Sequence, residues 1–163
     1  MTPAQAIQKE IDREQKELDG LEDEKKRLTE KMEKELQKKN KADRSTLEQL
    51  IELLGKLLHK HELEQEIEGK KKALAAANAR PNDPIGGIDE EYDTEWKRAD
   101  EIGRKAQGLR EKAWRDHLDG KEDAARKARE EAKALSAEFD LELARLRGKS
   151  EARRAVQKAL KGG

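Results

Sequence analysis

The chain has 163 residues, 37 basic against 37 acidic; charged side chains make up 45% of it, and it holds one Phe, one Tyr and no cysteine. This excludes a disulfide scaffold and a thiolate metal site, and no run of 18 apolar residues is present to span a membrane. Ala, Glu, Lys, Leu and Arg account for 102 residues, well beyond the roughly 50% that marks long helices, so the expected fold is all-α with burial confined to narrow seams between helices.

Thr2, Pro3, Ala4 and Gln5 supply a capping residue, Pro at the first helical position and Gln three residues after the cap, the signature of a helix start. Apolar residues then recur at Ile7, Ile11, Leu18, Leu21, Leu28 and Met32. Glu14 and Lys25 stand at the two positions that complete the alternating spacing of four and three. This is a heptad seam of about four repeats with a polar defect in two of them. Residues 40–44 form a break, and Ser45 with Glu48 makes a capping box for a second helix. There Leu47, Leu50, Ile51, Leu53, Leu54, Leu57 and Leu58 cover an arc of roughly 160°, wider than one partner helix needs. Leu63, Ile67 and Leu74 follow in a new phase, and the helix thins into alanine over residues 73–79. The expectation is a long, leucine-seamed antiparallel coiled-coil hairpin over residues 1–79, with helices at about 3–40 and 46–78.

Residues 80–87 hold two of the three prolines and paired glycines, and read as a linker. Asp89 is placed to cap a third helix, with Glu90 and Glu91 favourable in its first turn. Its seam runs Ile88, Tyr92, Trp96, Ala99, Ile102, Ala106, Leu109 and Ala113. Asp119 and Gly120 make a tight break. A fourth helix repeats the spacing at Ala125, Ala128, Ala132, Leu135, Phe139, Leu143 and Leu146. Folding residues 88–147 about 119–120 sets small residues against small ones near the turn and gathers Tyr92, Trp96 and Phe139 at the open end. The result is a second, alanine-seamed antiparallel hairpin. Gly148, Lys149 and Ser150 then end it and cap a short basic C-terminal helix and tail over residues 148–163.

Residues suggestive of chemistry have simpler explanations. His59 and His61 are two apart and point to different helix faces, unlike the pair four apart that holds zinc on a helix. His117 stands alone beside a turn. Gly148, Lys149 and Ser150 match the end of a phosphate-binding loop, but Leu143 occupies the position of its first glycine and no strand precedes it. Carboxylate pairs such as Glu90/Glu91 and Glu130/Glu131 need a pocket to shift their pKa, and charged helical seams offer none. The serines are Ser45, Ser136 and Ser150, two of them at caps. No catalytic, cofactor-binding or metal-ligating residue is assigned: the expectation is a non-enzyme with no cofactor and no small-molecule substrate.

Charge is uneven along the chain. Residues 145–161 carry Arg145, Arg147, Lys149, Arg153, Arg154, Lys158 and Lys161 against Glu151, a net of +6, whereas residues 83–101 carry a net of −6. The basic segment suits nucleic-acid phosphates, although it lacks aromatics for base stacking. It equally suits an acidic protein surface, or the acidic segment of this chain or of a sister chain. Apolar surface is also in surplus. The stripe of Leu47, Leu50, Ile51, Leu54, Leu57 and Leu58 exceeds one seam, Trp114 and Leu118 lie off the third helix's seam, and a second stripe of Ala134, Ala137, Leu141 and Ala144 lies nearly opposite the fourth helix's main seam. Either these faces bury one another or the short C-terminal helix, or they take an outside partner.

In composition the chain resembles phage capsid scaffolds and the small coiled-coil chaperone or stalk components of bacterial secretion machines, which are Lys/Glu-rich and poor in aromatics and Cys. No motif carries that resemblance. The function expected is a non-catalytic structural, scaffolding or adaptor protein that oligomerises or binds another helical protein. Leu47, Leu50, Ile51, Leu54, Leu57, Leu58, Trp114, Leu118 and Leu141 are the interaction residues, and the seven basic residues above are a docking element. The alternatives are a nucleic-acid-binding accessory protein using that basic helix, and a helical arm of a toxin or injected effector. With no apolar leader at its N-terminus, the expected location is the cytoplasm, a virion or a secretion assembly, without membrane insertion.

Overall fold

In the computed structural model, which describes residues 1–39 and 44–162, the chain forms α1 (Pro3–Lys39), α2 (Arg44–Ala79), α3 (Pro84–Leu118) and α4 (Glu122–Gly162), with no strand among the described residues. No helix among them is long and apolar enough to cross a membrane. The cap at the start of α1 is reciprocal: the Thr2 amide donates to Gln5 Oε1 at 2.9 Å and the Gln5 amide to Thr2 Oγ1 at 3.1 Å, satisfying two donors that a helix start leaves free. The break expected over residues 40–44 lies, but for Arg44, outside the described residues, as does the side chain of Ser45.

α1 and α2 run antiparallel. Ion pairs join Glu10 to Lys70 (3.7 Å), Glu22 to Lys60 (3.1 Å) and Glu24 to Lys56 (3.2 Å), so position falls along α2 as it climbs along α1. Ile7, Ile11, Glu14, Leu18, Leu21 and Leu28 are the buried row of α1. α3 and α4 also run antiparallel about Gly120, whose φ of +76° is the left-handed conformation a helix end favours. The Gly120 amide donates to the His117 carbonyl and the Lys121 amide to the Asp116 carbonyl.

Three expectations are corrected. α3 starts at Pro84 because Asp83, not Asp89, is the cap, accepting from the Gly86 amide at 3.0 Å. The linker therefore shrinks, and Gly87 lies helical against the Ala76 carbonyl, where a Cβ would collide. The buried row of α3 passes through Glu95 rather than Trp96, which is 48% exposed, and Phe139 packs beside Gly103 instead of joining Trp96. Finally, α4 does not break at residues 148–150: it is one helix of 41 residues. Gly148 is there for packing. A Cβ on it would strike the Glu66 carbonyl, as one on Gly69 would strike the Arg145 carbonyl, so α2 and α4 cross with their backbones in close approach. The roughly 1 kcal/mol that an interior helical glycine costs is offset by that contact.

The crossing carries the C-terminal third of α4 onto α1 and α2. One core results, built from Ile7, Ile11, Leu18 and Leu21 of α1, Leu63, Ile67, Ala73 and Ala77 of α2, Ile88 of α3, and Ala152 and Val156 of α4. All four helices meet at this base. Toward the two turns the burial narrows to single rows, among them Ala106 and Ala113 of α3 with Ala125, Ala128 and Ala132 of α4.

Candidate functional site

A row of exposed apolar side chains lies on α2. Leu47 is 51% exposed, Ile51 69%, Leu54 52% and Leu58 67%; Leu50 is exposed beside them and Leu57 half-buried. At 100° per residue the first four fall within about 60° of one another. The same row continues into Gln65 and Gly69, the residues of α2 that meet Arg145 of α4. On α4 the row of Arg145 and Gly148 continues the other way through Leu141, half-buried, to Ala137 and Ala134, both exposed. Both surplus stripes are thus extensions of the α2–α4 contact, uncovered where the two helices part. Trp114 and Leu118, 62% and 65% exposed, sit apart near the α3–α4 turn, with the Trp114 ring 5.9 Å from that of His117.

The basic segment meets the chain's own acidic one. Arg153 pairs with Asp89 at 2.6 Å, and Lys149, fully buried, reaches Glu91 at 3.2 Å and Glu95 at 3.3 Å. Arg147 pairs with Glu66 at 3.2 Å, and Arg145 with Glu142 at 2.8 Å and the Gln65 amide oxygen at 2.5 Å. Arg154, Lys158 and Lys161 are exposed. Of the seven residues named as a docking element, four are engaged within the chain.

Two buried ionic clusters complete the base, and sequence periodicity marks them only as defects in a seam. In the first, the Lys70 ammonium contacts Glu14, lies 2.8 Å from Glu151 and 3.7 Å from Glu10, and is itself fully buried. Glu14, Glu66 and Glu151 bring carboxylate oxygens within 4.8 Å of one another. Lys70 pairs with two of the three, Glu14 and Glu151. Burial and the Glu151 charge push the Glu66 carboxyl up, against the pull of Arg147. In the second, Glu95 and Glu142 face each other beside Lys149 and Arg145. Burial and the neighbouring Glu95 raise the Glu142 carboxyl. For Glu95 burial acts in the same direction, but the Lys149 charge and the hydrogen bond with Glu142 outweigh it and its carboxyl is lowered. Glu142 is therefore the partner that holds a proton longer. The signal in the sequence was present: Glu14 and Lys70 both stand on seam positions of helices expected to pair.

One open surface groove is lined by Gln5, Gln8, Lys9, Asp12, Arg13 and Lys16 of α1, and another by Pro3, Ala4, Ala77, Pro81 and Pro84. Comparison with protein-family models, curated proteins and solved structures finds no match.

Proposed function

We propose that this protein is a non-catalytic structural, scaffolding or adaptor component, built as two coiled-coil helical hairpins and acting through helix-to-helix contacts with other protein surfaces. The observation that carries the reading is the leucine row of α2: four large apolar side chains, each at least half exposed, in helical register and continuous with a face that elsewhere packs on a helix. Apolar surface arrayed this way favours burial against a partner. Leu141 and the Ala134/Ala137 row extend the same face on α4, with Trp114 and Leu118 a secondary anchor. The nucleic-acid reading is weaker, because Arg145, Arg147, Lys149 and Arg153 already neutralise the chain's own acids and few phosphate contacts would remain.

A photo-reactive amino acid at Leu54, in cells that produce the protein, tests the reading against the same group at exposed Gln107. Protein adducts specific to position 54 are expected. Equal labelling from both positions, or none, would remove the basis for it. Duplex DNA binding that falls steeply with salt and depends on Arg154, Lys158 and Lys161 would favour the nucleic-acid alternative instead.

A further inference from the structure

We propose that the exposed leucine face of α2 is a two-fold interface between two copies of this chain, with α2 lying antiparallel on α2 of the second copy about an axis between positions 52 and 53. The inference rests on the reading above and commits that face to one partner. The first argument is steric. From Glu62 to Gly69 this face of α2 is covered by α4 of the same chain: Arg147 pairs with Glu62 and Glu66, Arg145 with Gln65, and Gly69 abuts the Arg145 carbonyl. A second α2 packed parallel and in register would bring the two covered stretches together. Packed antiparallel, with paired residue numbers summing to 105, Glu62 of the second copy comes level with position 43. That is one residue before α2 of the first copy begins at Arg44. Each covered stretch then starts where the other helix ends.

The second argument is the match of side chains. In that register Leu47 meets Leu58 of the second copy and Ile51 meets Leu54, each contact made twice by symmetry. In an antiparallel two-fold pair each flank of the row meets the same flank of its copy. The flank carrying Leu50 and Leu57 therefore meets Leu57 and Leu50. A parallel pair would instead turn the leucine flank against Glu48 and Glu62. Antiparallel packing also sets each helix dipole against its opposite. The row from Leu47 to Leu58 is only about 17 Å long, so the interface belongs at the small end of specific ones.

The full chain has no cysteine, so single-cysteine variants report the register directly. Sedimentation equilibrium should show the mass rising from 18.6 kDa toward twice that value with concentration. Ile51→Glu should stay monomeric with an unchanged far-UV circular dichroism spectrum. Under copper–phenanthroline oxidation, Leu47→Cys mixed with Leu58→Cys should give the mixed disulfide, while each alone gives little. A dimer that instead cross-links 47 to 47 and 58 to 58 would overturn the antiparallel interface and leave the helix-contact reading standing. A chain that stays monomeric at every concentration would overturn the two-fold pair, and adducts at position 54 then decide separately whether that broader reading survives. The wild-type mass and the cross-links do not depend on how Ile51→Glu folds.

Discussion

At its base the molecule stacks four helices and buries charge there; toward the turns each helix has a single close neighbour and leaves leucine in water. Glu14, Lys70, Glu95, Glu142 and Lys149 are all at most 4% exposed, whereas Leu47, Ile51, Leu54 and Leu58 are at least half exposed. Residue type does not explain the contrast. The number of neighbours does: a helix with several partners has no face left for solvent, so polar residues on its seams must satisfy one another, while a helix with one partner hides only a narrow row. A leucine seam tolerates slippage by a heptad. Lys70 among Glu10, Glu14 and Glu151 does not, and we read that cluster as what sets the register of α1, α2 and α4.

The hardest way to break the comparison is at its charged centre. Lys70→Met should cost about 3–5 kcal/mol, because three carboxylates lose the ammonium between them. Chemical denaturation checks this. Next, Gly148→Ala should cost about 2–3 kcal/mol by pushing a Cβ into the Glu66 carbonyl. Gly108→Ala, with open space at its Cβ, should instead gain about 0.5–1 kcal/mol from helix propensity. If both glycines responded alike, the close crossing of α2 and α4 would be refuted.

A smaller effect separates the two carboxyls of the second cluster. A carboxyl whose pKa is raised by folding favours the folded state while it stays protonated, and that contribution is lost as pH climbs through its folded value. Glu142 and Glu66 behave this way. Glu95, being lowered, adds stability above its unfolded pKa that is lost as pH falls through its folded one. Glu142→Gln keeps a donor toward Glu95 without the titration. It should flatten the stability profile above the ordinary carboxyl pKa and melt about 1–3 °C higher at pH 7. The smallest effect belongs to the exposed row: Leu54→Ala, measured where the protein is monomeric, should stay within about 0.5 kcal/mol of wild type. A large loss there would mean that α2 is covered within its own chain.

Helices α1, α2, α3 and the first part of α4 were legible in the sequence because each has its own apolar period, and the start of α1 carries a readable cap and proline. The path of α4 was not. Gly148 followed by Lys and Ser carries the local signature of a stop, and only α2 lying against it makes glycine the residue that continues the helix. Trp96 misleads in the same way, since size suggests burial while the helical row passes one residue earlier through Glu95. The leucine surplus of α2 could be seen from spacing alone. That it continues the face on which α4 rests could not, because it depends on where two distant helices cross.

Ala152 and Val156 complete the core around Ile7, and this sets a timetable. At about 5–20 residues per second, several seconds of synthesis separate the end of α2 from the part of α4 that covers it. Through that interval Ile7, Ile11 and Ile67 have no roof, and Lys70 lacks Glu151. A neighbouring nascent chain offers the same missing piece. The speed with which α4 returns to its own α2 therefore decides whether chains produced side by side close individually or exchange their last helices.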